Sequence, residues 1–468
     1  MGKFTFDTLE EIKTKITELG LNLACSTNTS NLFEPLKISF NSTKFWVPNR
    51  FVIHPMEGFD ATKEGSPTDL TYKRYERYGT SGTGIVWFEA VSVLNEGKSN
   101  PHQLYLNNHN KQKFKDLLTS FHKGRIYLQK HIQNFSKSPF GEPLKILQLT
   151  HSGRYSRPKV HRIPLCATKN HILDKAMNID PEKGIIVSDE YLENLQDAYY
   201  HAIQLAEEIG FDGVDIKSCH GYLVSELLGA YTRENSKFGG ESFKNRQRFL
   251  LDIIKKATRE FPKLLITLRL NLFDSLPYPY GMGTKKINSK GIPISIDLTE
   301  LHALIARLES YGIHTVSFSA GNPYFKPYIS RPFVQNAFNA KEPPEPALKS
   351  IARIIDCLRE ISEHHPKLVR ISTAFSWFRQ YLPFFAAGEI NRNSFDCIGY
   401  GRMAFAYPDF PIDLYKTGKL NPKMVCITCS KCTELMRMGS ATGCVVRNDI
   451  YTAIYRREYS KYIGRNSN

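Results

Sequence analysis

Two stretches of this chain carry side chains whose types and spacing suit chemistry. In Gly213 to Leu228, GVDIKSCHGYLVSELL, Lys217, His220 and Tyr222 fall within six residues. A cation, an imidazole and a phenol in so small a volume can polarise a carbonyl oxygen, hydrogen-bond it and deliver a proton. Near the C-terminus stand Cys426, Cys429, Cys432 and Cys444, spaced CxxCxxC with eleven residues before the fourth. Short steps let neighbouring sulfurs reach one centre, so the quartet is read as a metal site. It admits a [4Fe-4S] cluster, structural zinc or unligated thiols. The other five cysteines, Cys25, Cys166, Cys219, Cys357 and Cys397, are isolated and read mostly as packing residues.

The elements that must hold these groups alternate along the chain. Short apolar runs predict strands at Phe51 to His54, Gly84 to Phe88, Lys145 to Leu149, Gly213 to Ile216, Leu264 to Leu270, His314 to Phe318, Leu368 to Ile371 and Phe395 to Ile398. Apolar positions at three- and four-residue steps predict helices over Tyr191 to Ile209, Phe243 to Phe261, Leu298 to Tyr311 and Ala347 to His364. Glycines at 210 and 312 read as helix ends before the next strand. Eight strand-helix units predict an α/β fold, a (β/α)8 TIM barrel. The open doubly wound alternative would need a GxGxxG fingerprint after an early strand, and the chain has none. The longer connections follow strands, on the face where barrels build active sites. Period-two alternation puts Asp215 and Lys217 on one side of the fourth strand, with Lys217 at its end. Residues 1–44 read as a leader, 45–420 as the barrel and 421–468 as a Cys-bearing extension with no obvious barrel role.

Composition narrows the class. The 468 residues carry 62 Lys and Arg against 46 Asp and Glu, a formal charge of +16, with 41% hydrophobic residues. That supports a folded core rather than disorder. The basic residues are scattered, so the charge reads as a solvated surface and nucleic-acid binding is not expected. The start shows neither a secretory nor a transit pattern, and no run of about 18 apolar residues suggests a membrane span. A cytoplasmic location is expected, where nine cysteines are not a disulfide framework.

Five motifs in order, NRFVIHPM at 49–56, QLTHSGR at 148–154, CHGY at 219–222, TRENSKFGG at 232–240 and IGYGR at 398–402, make residues 45 to 420 resemble the old yellow enzyme family of flavin-dependent NADH:flavin oxidoreductases. The resemblance looks closest to the dienoyl-CoA-reductase-like branch, without the further flavin and nicotinamide domains of those longer enzymes. It implies an FMN-binding barrel reduced by NAD(P)H. It further implies that Pro55, Met56 and Glu57 line the isoalloxazine, with Ala90 beside it, and that Gln148 hydrogen-bonds the pyrimidine edge. Arg269 would sit by N1 and O2, and Gly401 with Arg402 would bind the phosphate. Where the family commonly has a glycine after strand seven, this chain has Ser372 to Ser376, and backbone N–H groups around Ala374 would serve instead.

The chain also departs from the pattern. Lys217 replaces the first of a His/His or His/Asn pair that grips the substrate carbonyl, with His220 in the second place. Lysine brings a mobile point charge rather than a planar donor. Glu241 looks inserted, and Lys244 stands where an acid is usual. The iron-sulfur branch has one more residue between its second and third Cys. Tyr222 matches the family's proton donor. The resemblance therefore implies hydride transfer from NAD(P)H through FMN to an activated C=C bond of an α,β-unsaturated carbonyl or acyl compound. An electron carrier would be a partner if the cysteines hold a cluster. Two alternatives are a flavin-dependent amine dehydrogenase or demethylase and, less favoured, an RNA-modifying FMN barrel; the latter lacks its catalytic Cys motif.

Overall fold

The computed structural model describes residues 4–159, 161–180 and 184–466. Eight parallel strands close into a barrel: β1 (Phe51–Ile53), β2 (Ile85–Ser92), β3 (Leu144–Thr150), β4 (Gly213–Ser218), β5 (Leu265–Asn271), β6 (Thr315–Ser319), β7 (Val369–Ser372) and β8 (Cys397–Tyr400). Each strand neighbours the next in sequence, and β8 closes on β1. All eight are the predicted strands, each beginning within two residues of its expected start. Every residue of these strands is buried, because side chains facing inward fill the barrel and those facing outward meet the helices. β1 stops after three residues because the chain reaches Pro55, which has no N–H to extend the ladder.

The helices follow their sequence signals. Asp189–Ile209 starts on Ser188, whose side chain accepts from the Tyr191 N–H, and ends on Gly210 at φ 103°. Ala347–His364 has the predicted bounds. The single helix expected over Phe243 to Phe261 is instead two, Phe243–Arg246 and Arg248–Glu260, separated at Gln247. Arg246 causes the break: its buried guanidinium donates to Leu228 O at 2.7 Å, pairs with Glu300 and lies 3.7 Å from the centre of the Tyr231 ring. Among the described residues no helix is long and apolar enough to cross a membrane.

The segments outside the barrel close its two ends. A helix, Leu9–Glu18, and a hairpin, Leu36–Phe40 with Thr43–Val47, precede β1, so the expected boundary at 44 falls inside a strand. The hairpin sits at the N-terminal end, where Val47 packs against the Gly84 turn before β2 and Asn41 against the Gly312 turn before β6. The extension after 421 has a role that the sequence did not disclose, because it crosses the opposite, C-terminal end. Thr442 N–H donates to Gly58 O at 2.6 Å, Val334 N–H to Thr428 O at 3.2 Å and Phe338 N–H to Glu434 Oε1 at 2.6 Å. Each bond ties the extension to a loop that follows a barrel strand.

One glycine in β8 shows how tightly the mouth is packed. A Cβ at Gly399 would stand 1.6 Å from His54 Nε2 and 2.4 Å from Ser372 O. Gly399→Ala is expected to cost more than about 3 kcal/mol, because neither the backbone carbonyl nor the buried ring can yield. Urea unfolding of the two proteins measures it, and a loss under about 1 kcal/mol would mean that His54 swings aside freely.

Candidate functional site

A cavity of about 1080 Å³, including its open mouth, lies at the C-terminal end of the barrel. The ends of β1, β4, β5 and β8 supply Pro55, Met56, Glu57, Lys217, Arg269, Gly401 and Arg402, and the turn after β7 supplies Ala374. His220 and Tyr222 come from the loop after β4. The roof comes from the extension, through Cys432, Thr433, Met436 and Thr442.

Lys217 and Arg269 are register partners on β4 and β5, so two buried cations stand side by side at the mouth. Lys217 Nζ lies 3.6 Å from Glu57 Oε1 and 3.7 Å from the centre of the Tyr222 ring. Tyr222 is 1% exposed, and its hydroxyl lies 2.8 Å from the Tyr324 hydroxyl and 3.4 Å from Glu57 Oε2. Burial, followed by the Glu57 charge, holds its ionisation well above the ordinary phenol range. The phenol is therefore protonated at neutral pH, as a proton donor must be. His220 takes a left-handed backbone, φ 67°, beside Gly221 at φ 71°, which brings its Nε2 within 2.7 Å of Ser319 Oγ. Burial and the nearby Arg269 and Lys217 push the imidazole well below its ordinary value, so it acts as a neutral hydrogen-bonding group.

The donor set suits a flavin mononucleotide. Arg402, buried, and Arg331, half-buried, stand on the wall of the cavity, and each has a buried Nη1 with no hydrogen-bond partner among the described residues. Burial and the adjacent Arg402 push Arg331 down to about 9. Two cations so short of counter-charge fit a bound phosphate, which would take up the idle N–H groups. Arg269 likewise has an unpartnered buried Nε, with only a 3.5 Å contact from Nη2 to Thr373 Oγ1, as a cation reserved for a carbonyl-rich ring edge would. Gly401 lets Met56 and the ligand approach the backbone, since a Cβ there would meet Met56 Sδ at 2.6 Å. Ala374 stands at φ 77°, in the left-handed region that favours glycine.

Two expected flavin contacts are not on the wall of the cavity. Gln148 is buried one layer deeper, where its Nε2 donates to Asp215 Oδ2 at 2.5 Å and Trp87 Nε1 donates to the same oxygen at 2.9 Å. Asp215, pushed up to about 6 by burial, thus holds the amide that the sequence reading assigned to the pyrimidine edge. Ala90 is fully buried beside a register shift in β2, and its carbonyl accepts from Gln103 Nε2 at 2.9 Å. Gln103 also reaches Glu57 Oε1 at 3.1 Å. Sequence reasoning missed His54, Gln103, Tyr324 and Arg331. His54 lay inside a quoted motif, but the other three sit in loops after barrel strands and carried no signal of their own.

The metal site expected at the cysteine quartet is not supported by the described residues. Cys426, Cys429, Cys432 and Cys444 do converge on one small cavity of about 360 Å³, and Cys432 lines the main cavity as well. Yet among the described residues no three His, Cys, Asp or Glu side chains are arrayed to hold a metal ion. The sulfurs share their cavity with Val425, Ile427 and Val445, and burial pushes the Cys426 thiol up to about 12 and Cys444 up to about 11.

Beside the main cavity lies a second one, lined by Arg157, Arg162 and Arg437 among aromatic side chains and by no Asp or Glu among the described residues. The two share Pro323, Tyr324 and Met436 as a common wall.

Comparison with known proteins agrees with this geometry. The model of the NADH:flavin oxidoreductase / NADH oxidase family matches residues 31–284. An NADH:flavin oxidoreductase of Gibberella zeae is 25% identical over 301 residues, which are 60% of this chain and 66% of that protein; the chain therefore spans just under two thirds of that relative. Among solved structures, the fold is similar to a 2-naphthoyl-CoA reductase in complex with 2-naphthoyl-CoA (TM-score 0.68, 19% identity, 92% of this chain and 58% of that one). It is also similar to histamine dehydrogenase from Rhizobium sp. 4-9 (TM-score 0.64, 16% identity, 89% and 52%) and to morphinone reductase (TM-score 0.59, 19% identity, 84% and 92%).

Proposed function

Because the chain belongs to the NADH:flavin oxidoreductase / NADH oxidase family, we propose that it is an FMN-dependent ene-reductase that uses NAD(P)H to reduce an activated C=C bond of an α,β-unsaturated carbonyl or acyl compound. The observation that carries this reading is the buried Tyr222 phenol, in hydrogen-bond contact with Tyr324 and in one cavity with Lys217 and His220. FMN, when bound, supplies hydride transfer between the nicotinamide and the substrate. Arg331 and Arg402 hold its phosphate, and Arg269 serves the polar edge of its ring. Lys217 and neutral His220 polarise the substrate oxygen, and Tyr222 gives its proton to the α-carbon. Tyr324 borders both cavities and stands ready to return a proton to Tyr222.

The arginine-lined second cavity supports an acyl substrate with an anionic tail, in keeping with the acyl-CoA ligand of the similarly folded reductase. A second reading has an observation of its own. Glu57 places a carboxylate in the cavity, where it would suit an ammonium group, as in an amine dehydrogenase like the similarly folded histamine dehydrogenase. The direction of hydride flow separates the two readings. Protein reduced by NAD(P)H is expected to regain the oxidised flavin spectrum with unsaturated carbonyl or acyl compounds, and oxidised protein to remain unchanged with amines. Bleaching by amines alone would reverse the assignment.

A further inference from the structure

Lysine is a poor substitute for an imidazole that grips a carbonyl, because its ammonium swings on a four-carbon stem and prefers no plane. In this protein the stem is buried, and two neighbours hold the head. Glu57 Oε1 lies 3.6 Å from Nζ, and the face of the Tyr222 ring lies beneath it at 3.7 Å. The ammonium is thereby held between a carboxylate and a ring face, on the wall of the cavity. Glu57 is itself fixed, since Gln103 donates to Oε1 at 3.1 Å while anchoring its other contact on the Ala90 carbonyl of β2. The second oxygen, Oε2, faces the Tyr222 hydroxyl at 3.4 Å.

We propose that Glu57 is a positioning residue of this site: it pins Lys217 as an oriented donor in place of a planar one, and it couples that cation to the Tyr222 phenol. The proposal rests on the reading of Tyr222 and Lys217 as the groups that act on substrate. It assigns Glu57 a task separate from lining the flavin, and it accounts for a lysine at a position where a free ammonium would be a weak grip.

The groups that face the phenol decide what removing Glu57 does. From the loop after β1 comes Glu57, from β4 comes Lys217, and from the loop after β6 comes Tyr324. The Ser99 side chain and the Tyr155 ring, 5.9 Å away, complete the surroundings. Glu57 is the only carboxylate among them, and its charge opposes ionisation of the phenol while also neutralising Lys217. Without it, an unpaired cation is left against the ring. The phenol then ionises at lower pH.

Glu57→Gln keeps the shape and removes the charge. In FMN-loaded protein carrying 13C-labelled tyrosine, the ring resonance assigned by its loss in Tyr222→Phe is expected to titrate at least one pH unit lower in the variant, a tenfold rise in the acid constant. The alkaline limb of enone-driven reoxidation is expected to move down with it. Gln103→Leu, which frees Glu57 without removing its charge, is expected to leave the titration near its original place but to lower kcat for an enone. Turnover supplies the coupling test. Lys217→Met and the double variant Glu57→Gln/Lys217→Met are expected to have equal kcat/KM at neutral pH, where the phenol is protonated in both and Glu57 acts on turnover through the lysine. An unmoved Tyr222 titration in Glu57→Gln would overturn the coupling to the phenol. Losses that multiply in the double variant would overturn the pinning of Lys217. The titration does not depend on turnover, so failure of every enone to react would reject the ene-reductase reading while leaving this proposal to be judged on the resonance.

Discussion

Tyr222→Phe is expected to slow reoxidation of the reduced protein by an activated alkene about 10²–10⁴-fold, the range spanned by a positioned general acid, while reduction by NAD(P)H stays nearly unchanged. The two half-reactions ask different things of the cavity. Reduction by nicotinamide delivers hydride and needs no proton on a substrate carbon, so the phenol is idle. Reduction of the alkene leaves carbanion character at the α-carbon, and the Tyr222 hydroxyl is the protonated acid held at the wall. Its ring and the Lys217 contact survive the substitution, so binding should change little and the loss should appear in the rate constant at saturation. Rapid-mixing absorbance of the flavin follows each half separately. Equal losses in both halves would show that Tyr222 shapes the cavity rather than donating a proton.

The second large effect concerns loading. Arg331→Met and Arg402→Met are each expected to weaken FMN about 10–100-fold, from the roughly 1.5–3 kcal/mol of a charge-assisted hydrogen bond. Each guanidinium has a buried, idle Nη1, and among the described residues the acceptor of Arg402 is the Pro332 carbonyl, at 2.6 Å. The effects should add to less than their sum. Removing either arginine also relieves the repulsion that the other suffers in the empty cavity, so the apoprotein of a single variant is expected to be no less stable than the parent. Quenching of free FMN fluorescence on binding measures the affinities, and riboflavin, which lacks the phosphate, should bind parent and variants alike. A variant that loses riboflavin as severely as FMN would place the arginine elsewhere in the site.

Most of the fold was legible because barrel strands are short apolar runs at regular intervals and their helices carry a clear 3.6-residue period. β4 shows why part of the site was legible too. Its last residues must reach the mouth, so Lys217, His220 and Tyr222 could be placed from strand position alone. Gln148 shows the limit. Strand position put it near the mouth, but whether its amide faces a ligand or Asp215 depends on a contact 67 residues away in the chain. Arg331 and Tyr324 were invisible for the same reason, since loops have no period and their side chains acquire meaning only when the barrel closes. The cysteine spacing was legible only in part. Sequence proximity brought four sulfurs to one cavity, but it did not fix where each sulfur points or the polarity of the residues packed among them.

The roof laid over the barrel by residues after 421 has a consequence in time. β8 ends at Tyr400 and Arg331 and Arg402 both precede the extension, so the residues of the bowl leave the ribosome before the covering residues Cys432, Thr433, Met436 and Thr442. At the usual pace of synthesis, about 5–20 residues per second, the bowl stays uncovered for a few seconds at least. A flavin present during that interval meets an uncovered bowl, whereas one offered to the finished chain enters past a roof that Thr442 ties to Gly58. Supply of the nucleotide during synthesis and its addition afterwards are thus two different routes into the same cavity.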